Sequence, residues 1–353
     1  MYAPPSWLMP LLAPAAALYG SVIRLRNRRY DGGRAEVRRA AVPVVSVGNV
    51  TVGGTGKTPL VITLLHRLRE LNCKPAVLTR GYGGWRPHQA DEVREIVEAG
   101  CGAVVADPDR VRGAQVAVAR HHADVLVLDD GFQHRRLARE LDIVVIDALD
   151  PWGGGRLLPA GRLREPLAGL RRAGLIVISR SNLAPGPAVA GIQARLREIC
   201  VAAPVVTARV EAVAVEHEGG VSEPPELLRG RRVLAVCGLG NPGSFVRLVE
   251  SLGAEMTGVC EFADHHRYNR SDATRIARRA SHDRAETVLT TGKDWVKLAP
   301  LWSASGSSPD RPRLCCLRIA MRLDDADRRL ESALRAALNS PAPAATRSGS
   351  RRA

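Results

Sequence analysis

The chain has 353 residues, 45% hydrophobic and 25% charged, with a formal net charge of +15. At roughly 150 residues per domain, that length predicts about two domains. The composition excludes a wholly disordered chain, a collagen-like fibre and a polytopic membrane protein. The cationic surplus points to a polyanionic partner: nucleic acid, nucleotide phosphate or an anionic membrane. Seven cysteines, an odd number with no C-x-x-C spacing, read as small buried hydrophobes in a reducing compartment.

From Trp7 to Ile23 the chain is uncharged but is interrupted by Pro10 and Pro14. That run is shorter than the roughly 20 apolar residues a spanning helix needs. Arginines follow it, at positions 24, 26, 28, 29, 34, 38 and 39. A secretory signal would carry its positive charges before the apolar run. The pattern predicts a helix lying in a membrane interface, with arginines reaching anionic headgroups. An amphipathic helix packed on its own domain is the alternative.

Val42–Val47 reads as a buried parallel strand, and residues 60–71 carry apolar side chains at helical spacing. Further apolar segments recur at 76–78, 103–106, 125–128, 143–146 and 175–178. Their alternation with helical stretches predicts a doubly wound α/β fold with a mainly parallel sheet. Between the first strand and helix lies Thr51-Val52-Gly53-Gly54-Thr55-Gly56-Lys57-Thr58. Backbone N–H groups of such a P-loop cradle a polyphosphate. Lys57 would reach the β- and γ-phosphates, and the Thr58 hydroxyl would ligate Mg²⁺. Thr51 stands where the usual motif has its first glycine. Asp129 and Asp130 follow the apolar run 125–128, at the strand end where α/β sheets bind ligands, and are the candidate metal carboxylates. The chain lacks the lysine that partitioning ATPases carry before their paired glycines, where Val52 stands. It also lacks a correctly spaced guanine-reading motif. These features predict a bound nucleotide with Mg²⁺ and give no support to guanine.

The second half begins near Glu226. Gly238-Leu-Gly240-Asn-Pro-Gly243 satisfies G-x-G-x-x-G, but Pro242 lies inside it and the first loop already accounts for a nucleotide. A tight turn of a second, smaller α/β unit is the expectation. Val205–Val215 and Leu314–Ile319 are expected to pair as a two-stranded hinge. The predicted organisation is 1–40 interface helix and basic segment, 41–204 P-loop domain, 205–225 hinge, 226–319 second domain, 320–339 C-terminal helix and 340–353 disordered tail.

The blocks VGNVTVGGTGKTP (47–59), LTRGYGG (78–84), ADEV (90–93), DRV (109–111), LDDGFQHRRL (128–137), LLPAGRLREPL (157–167), GLGNPGSF (238–245), FADHHRY (262–268) and TTGKDWVKL (290–298) occur in order. Together they resemble the tetraacyldisaccharide 4′-kinase (lipid A 4′-kinase) family over about residues 5–335. The resemblance implies ATP-dependent phosphorylation of the 4′-hydroxyl of a tetraacylated glucosamine disaccharide 1-phosphate. The product would be lipid IVA in lipid A biosynthesis, made at the cytoplasmic face of a bacterial inner membrane. It implies Asp91 as acceptor of the hydroxyl proton, with a histidine of the Asp264-His265-His266 block orienting it. His265 is taken as that partner, although the sequence does not separate it from His266. Ala90 and Val93 depart from the family's G-D-E-P pattern. Arg80, Arg110, Gln133 and Arg164, inside the same blocks, are the candidate substrate contacts, since a guanidinium can bond two phosphate oxygens at once. The expected partners are the lipid substrate and an anionic membrane surface, with no nucleic acid and the chain a monomer. No RRM-, KH- or helix-turn-helix-like block accompanies the positive charge. A membrane-associated P-loop ATPase, or a kinase with a different acceptor, is the competing reading.

Overall fold

The computed structural model describes residues 6–81, 91–199, 201–304, 312–326 and 328–340. Helix α1 (Met9–Asp31) is followed by β1 (Val44–Gly48), α2 (Lys57–Glu70), β2 (Pro75–Thr79), α3 (Asp91–Glu98), β3 (Ala103–Ala106), α4 (Arg110–His121) and β4 (Val125–Asp129). Then come β5 (Leu141–Asp147), β6 (Leu175–Ser179), α5 (Gly186–Glu198), β7 (Val205–His217) and β8 (Ser222–Glu223). The second half holds β9 (Arg232–Cys237), α6 (Pro242–Ser251), β10 (Glu255–Glu261), α7 (Arg270–His282), β11 (Thr287–Thr291), α8 (Gly292–Ser303), β12 (Arg313–Asp324) and α9 (Arg329–Leu338).

The strands form one 12-stranded sheet in the order β10-β9-β11-β12-β7-β6-β5-β1-β4-β2-β3, with β8 added on β7. Neighbours along the order are parallel except β12–β7, and β8 also runs antiparallel to β7. Strands β1, β2, β4 and β6 are buried along their whole length, because helices cover both faces. Leu60, Leu64, Leu65 and Leu68 of α2 are fully buried against this sheet. Each contributes roughly 1.5–3 kcal/mol as an upper estimate of transfer from water.

The two α/β halves therefore share a sheet rather than owning separate ones. Strand β7 starts parallel to β6 and continues antiparallel to β12 from Thr207 to His217. After β12 the chain returns to the first half. Leu330 and Leu334 of α9 are buried in the same apolar cluster as Val45 and Leu60. The C-terminal helix, expected over 320–339, begins only at Arg329 because β12 runs on to Asp324. The expected tail beyond Ser340 lies outside the described residues.

The amino-terminal helix continues past Ile23 through the arginines to Asp31. One side packs on the first half: Tyr19 Oη donates to the Arg164 carbonyl (2.7 Å), and Arg26 donates to the Gln133 carbonyl. Another side carries Leu11, Leu18, Val22 and Leu25, all exposed, at spacings that place them on one stripe, with exposed Trp7 just before it. Among the described residues, no helix is long and apolar enough to cross a membrane.

Candidate active site

The loop after β1 is shaped by its glycines. Gly53 (φ 110°) and Gly56 (φ 88°) occupy the left-handed region, and Gly56 caps α2 there. Three loop carbonyls are held from outside. Arg162 donates to the Val52 carbonyl (3.0 and 2.7 Å), Arg180 to that of Gly54 (2.9 Å) and Ser179 Oγ to that of Thr55 (2.7 Å). These contacts fix the peptide planes, so the loop is preorganised rather than assembled around its ligand.

Gly53 to Thr58 line a cavity of about 710 Å³. Thr51 and Val52 are not among its lining residues. The Val52 N–H donates to the Arg162 carbonyl (2.8 Å), and Thr51 is buried in a bridge to Leu163. Both residues anchor the loop from beneath.

A charge cluster sits at the loop's mouth. Lys57 Nζ lies 3.4 Å from Asp130 Oδ1, and Arg164 Nη1 lies 2.8 Å from both Asp130 oxygens. Burial pushes the Asp130 carboxyl up, but the Lys57 and Arg164 cations outweigh it and hold it below the usual carboxylate range. Asp129, buried at the end of β4, lines the cavity beside it, as does Thr58. Among the described residues, no group of three or more His, Cys, Asp or Glu could hold a metal alone. The hydroxyl and two carboxylates fit Mg²⁺ only as a partial oxygen shell, completed by phosphate and water, which is how that ion is commonly held beside a nucleotide.

Arg80, Arg110 and Arg164 all line the cavity. Gln133 is not among its lining residues, but its Oε1 lies 3.5 Å from Arg164 Nη1. Its amide donates to the Asn49 carbonyl (2.8 Å) and to Glu165 Oε1 (2.9 Å), a layer behind the site. Glu165 also accepts from Arg172 (2.8 Å) and Asn27 (3.2 Å), tying α1 to this layer.

The second half contributes Asp264, His265 and Lys293 to the same cavity. Lys293 Nζ is 2.8 Å from Asp264 Oδ1 and 3.4 Å from His265 Nε2. The two adjacent histidines diverge because His265 adopts φ 61°. His266 turns away, with Nε2 3.0 Å from Asp272 Oδ2 and its ring 4.7 Å from that of Phe262. Asp272 belongs to the capping box of α7, so His266 serves the turn's architecture. Asp294 of the TTGKDW block is fully buried and accepts from the Gly238 N–H (2.8 Å) and Thr291 Oγ1 (2.9 Å). That block thus splits, Asp294 bracing the Gly238 turn and Lys293 facing the cavity. Asp91 opens α3, but its side chain lies outside the described residues.

Arg162, Ser179 and Arg180 are missing from the sequence expectations. Ser179 and Arg180 stand at the carboxyl end of β6, and Asp147 at that of β5. The sheet-edge rule that flagged Asp129 would have flagged these positions too.

A family model described as tetraacyldisaccharide-1-P 4′-kinase (LpxK) matches residues 8–339. A tetraacyldisaccharide 4′-kinase of Anaeromyxobacter sp. (strain Fw109-5) is 42% identical over 348 residues, 94% of this chain and 92% of the relative. One from Syntrophus aciditrophicus (strain SB) is 40% identical over 317 residues, 82% of this chain and 84% of the relative. The crystal structure of an "apo" form of LpxK from Aquifex aeolicus in complex with ATP has a TM-score of 0.69 and 26% identity, covering 94% of this chain and 99% of that one. The chain belongs to the tetraacyldisaccharide 4′-kinase family.

Proposed function

We propose that this protein uses ATP to phosphorylate the 4′-hydroxyl of a tetraacylated glucosamine disaccharide 1-phosphate, giving lipid IVA in lipid A biosynthesis. One observation carries the reading for this chain's own residues. The preorganised phosphate loop with Lys57, Asp130 and Arg164, and the Asp264–His265–Lys293 group, face a single cavity from the two halves.

Phosphoryl transfer to an alcohol needs positioning, charge neutralisation and a proton acceptor. The amides of residues 53–58 and the Lys57 ammonium bind the polyphosphate. Asp130 orients Lys57 and Arg164 toward it. Arg164, Arg110 and Arg80 supply guanidinium groups for the transferring phosphoryl group or the substrate's own phosphate. Asp91 takes the hydroxyl proton and His265 orients it, roles that rest on the family resemblance. His265's place at the cavity, with His266 turned away, supports the choice between them. Thr58, Asp129 and Asp130 would hold Mg²⁺, which when bound neutralises the β- and γ-phosphate oxygens.

The protein works at the cytoplasmic face of the inner membrane as a peripheral monomer. The apolar stripe of α1 and its arginines support membrane contact. The flank of that helix beside the stripe touches Arg164 and Gln133, so a docked lipid surface would lie close to the acceptor site.

The test is incubation with Mg²⁺, γ-labelled ATP and a detergent-dispersed tetraacylated disaccharide 1-phosphate, with Asp91→Ala alongside. Label in the lipid from the wild type, and about 10²-fold less from the variant, is expected. Equal labelling would remove Asp91 as base. ATP hydrolysis without labelled lipid would sink the lipid kinase and favour a membrane-associated ATPase.

A further inference from the structure

The G-x-G-x-x-G string of the second half has no role in the chemistry above, yet it touches the phosphate loop. A methyl group built at Gly240 would lie 2.8 Å from Gly53 Cα and 2.9 Å from the Gly54 nitrogen. Those are backbone atoms of the loop itself, so only a residue without Cβ can seat there. Gly240 does not adopt a positive φ. Its requirement for glycine comes from this close approach between halves and not from the shape of its own turn.

The next residue makes the polar half of the contact. Asn241 Nδ2 donates to Asp147 Oδ2 (3.1 Å) across the two halves. Asp147 is buried at the end of β5, and the same Oδ2 pairs with Arg180 Nη1. Arg180 in turn donates to the Gly54 carbonyl (2.9 Å). A continuous path thus runs from the second half's turn, through one carboxylate and one guanidinium, to the peptide next to Gly53. The turn is held on its own side by Asp294, which accepts from the Gly238 N–H (2.8 Å) and is flanked by cavity-facing Lys293.

We infer that Gly240 and Asn241 form a closure latch on the phosphate loop, with Asp147 and Arg180 as the positioning residues that pass its state to Gly54. When the latch is seated, Gly240 backs the Gly53–Gly54 peptide and Asn241 donates to the Asp147 Oδ2 that Arg180 also reaches. Seating brings Asp264, His265 and Lys293 to the cavity, so the preorganised phosphate loop faces the second half's polar groups only when that half is in place. When the latch is unseated, Asp147 keeps Arg180 and the loop still binds nucleotide. The latch therefore acts on turnover and not on nucleotide affinity. The turnover readout rests on the kinase reading, whereas closure is read independently of it.

The experiment uses the full chain carrying two fluorophores at exposed positions 197 and 278, introduced as unnatural amino acids. It compares wild type with Gly240→Ala, Asn241→Ala, Asn241→Asp and Asn241→Asp/Asp147→Asn, measuring ATP-induced distance change, nucleotide Kd, kcat and melting temperature. Losing one hydrogen bond to a charged group predicts a fall in kcat of about 10-fold or more for Asn241→Ala. Asn241→Asp, nearly the same size but facing a second carboxylate, should fall further and recover partly with Asp147→Asn. Gly240→Ala should fail to close, with nucleotide Kd within about 3-fold of wild type on the same reasoning. Variants that close and turn over like wild type would overturn the latch. So would losses that track melting temperature, or Asn241→Asp behaving no worse than Asn241→Ala, since these mark simple packing. If the wild type closes on ATP but labels no lipid, the kinase reading fails and the distance change alone decides the latch.

Discussion

Asp130 illustrates how a single residue sets the character of this site. The sequence places it as a metal carboxylate, and the fold surrounds it with Lys57 and with both-oxygen contact from Arg164. A single nitrogen, Nη1, makes that contact, and the planar guanidinium carries further N–H donors for phosphate oxygens that an ammonium lacks. Arg164→Lys should therefore lower kcat/KM about 10-fold or more, measured as label transfer to the lipid; an unchanged value would remove the fork from the mechanism. His134, four residues on, shows the opposite electrostatics. Burial first, then nearby Arg110 and Arg139, push its pKa down to about 4 from an ordinary 6.5. Between those values the unfolded chain binds a proton that the folded chain refuses. Stability therefore falls as pH drops through this window and is unaffected by His134 at higher pH. His134→Gln should flatten the fall in melting temperature between pH 7 and pH 5. Parallel curves for the two proteins would overturn the assignment.

At the scale of elements, the phosphate loop and α1 matter most. Gly56 combines φ 88° with a Cβ position 3.1 Å from Met321 Cε of β12. Gly56→Ala should weaken nucleotide binding by about 10-fold or more through backbone strain alone, read by titration with a fluorescent nucleotide. Helix α1 is legible as apolar and basic in the sequence, yet only the structure divides its faces. Tyr19, Arg26 and Asn27 grip the first half, whereas Leu11, Leu18, Val22 and Leu25 remain exposed. Leu11→Asp with Leu18→Asp should abolish sedimentation with anionic vesicles while leaving turnover of detergent-dispersed substrate within about 3-fold, because burial in the interface scales with apolar area. Retained vesicle binding would show that another surface holds the membrane.

For the whole molecule, the shared sheet and the returning C-terminus are decisive. The chain leaves the first half along β7, builds the second half and comes back along β12 to place α9 on the starting core. Leu334 is fully buried there. Leu334→Ala should cost about 2–5 kcal/mol, seen as a lower urea midpoint with the slope unchanged. A cost near zero would mean that α9 is peripheral to the first half's stability.

The linear order of residues by itself determined the parallel α/β architecture, the phosphate loop, the carboxylates after β4 and the family. Each is a local pattern: apolar period, glycine spacing, or charge following a strand. The tertiary structure decided what depends on distant segments meeting. It separated His265 from His266 by a left-handed backbone at one of them. It joined Gln133 to Glu165 and Val52 to Arg162, partners more than thirty residues away in the chain. It also brought Gly240 onto Gly53, a contact that no spacing within either glycine motif encodes, since it exists only where the two halves of the sheet face one another.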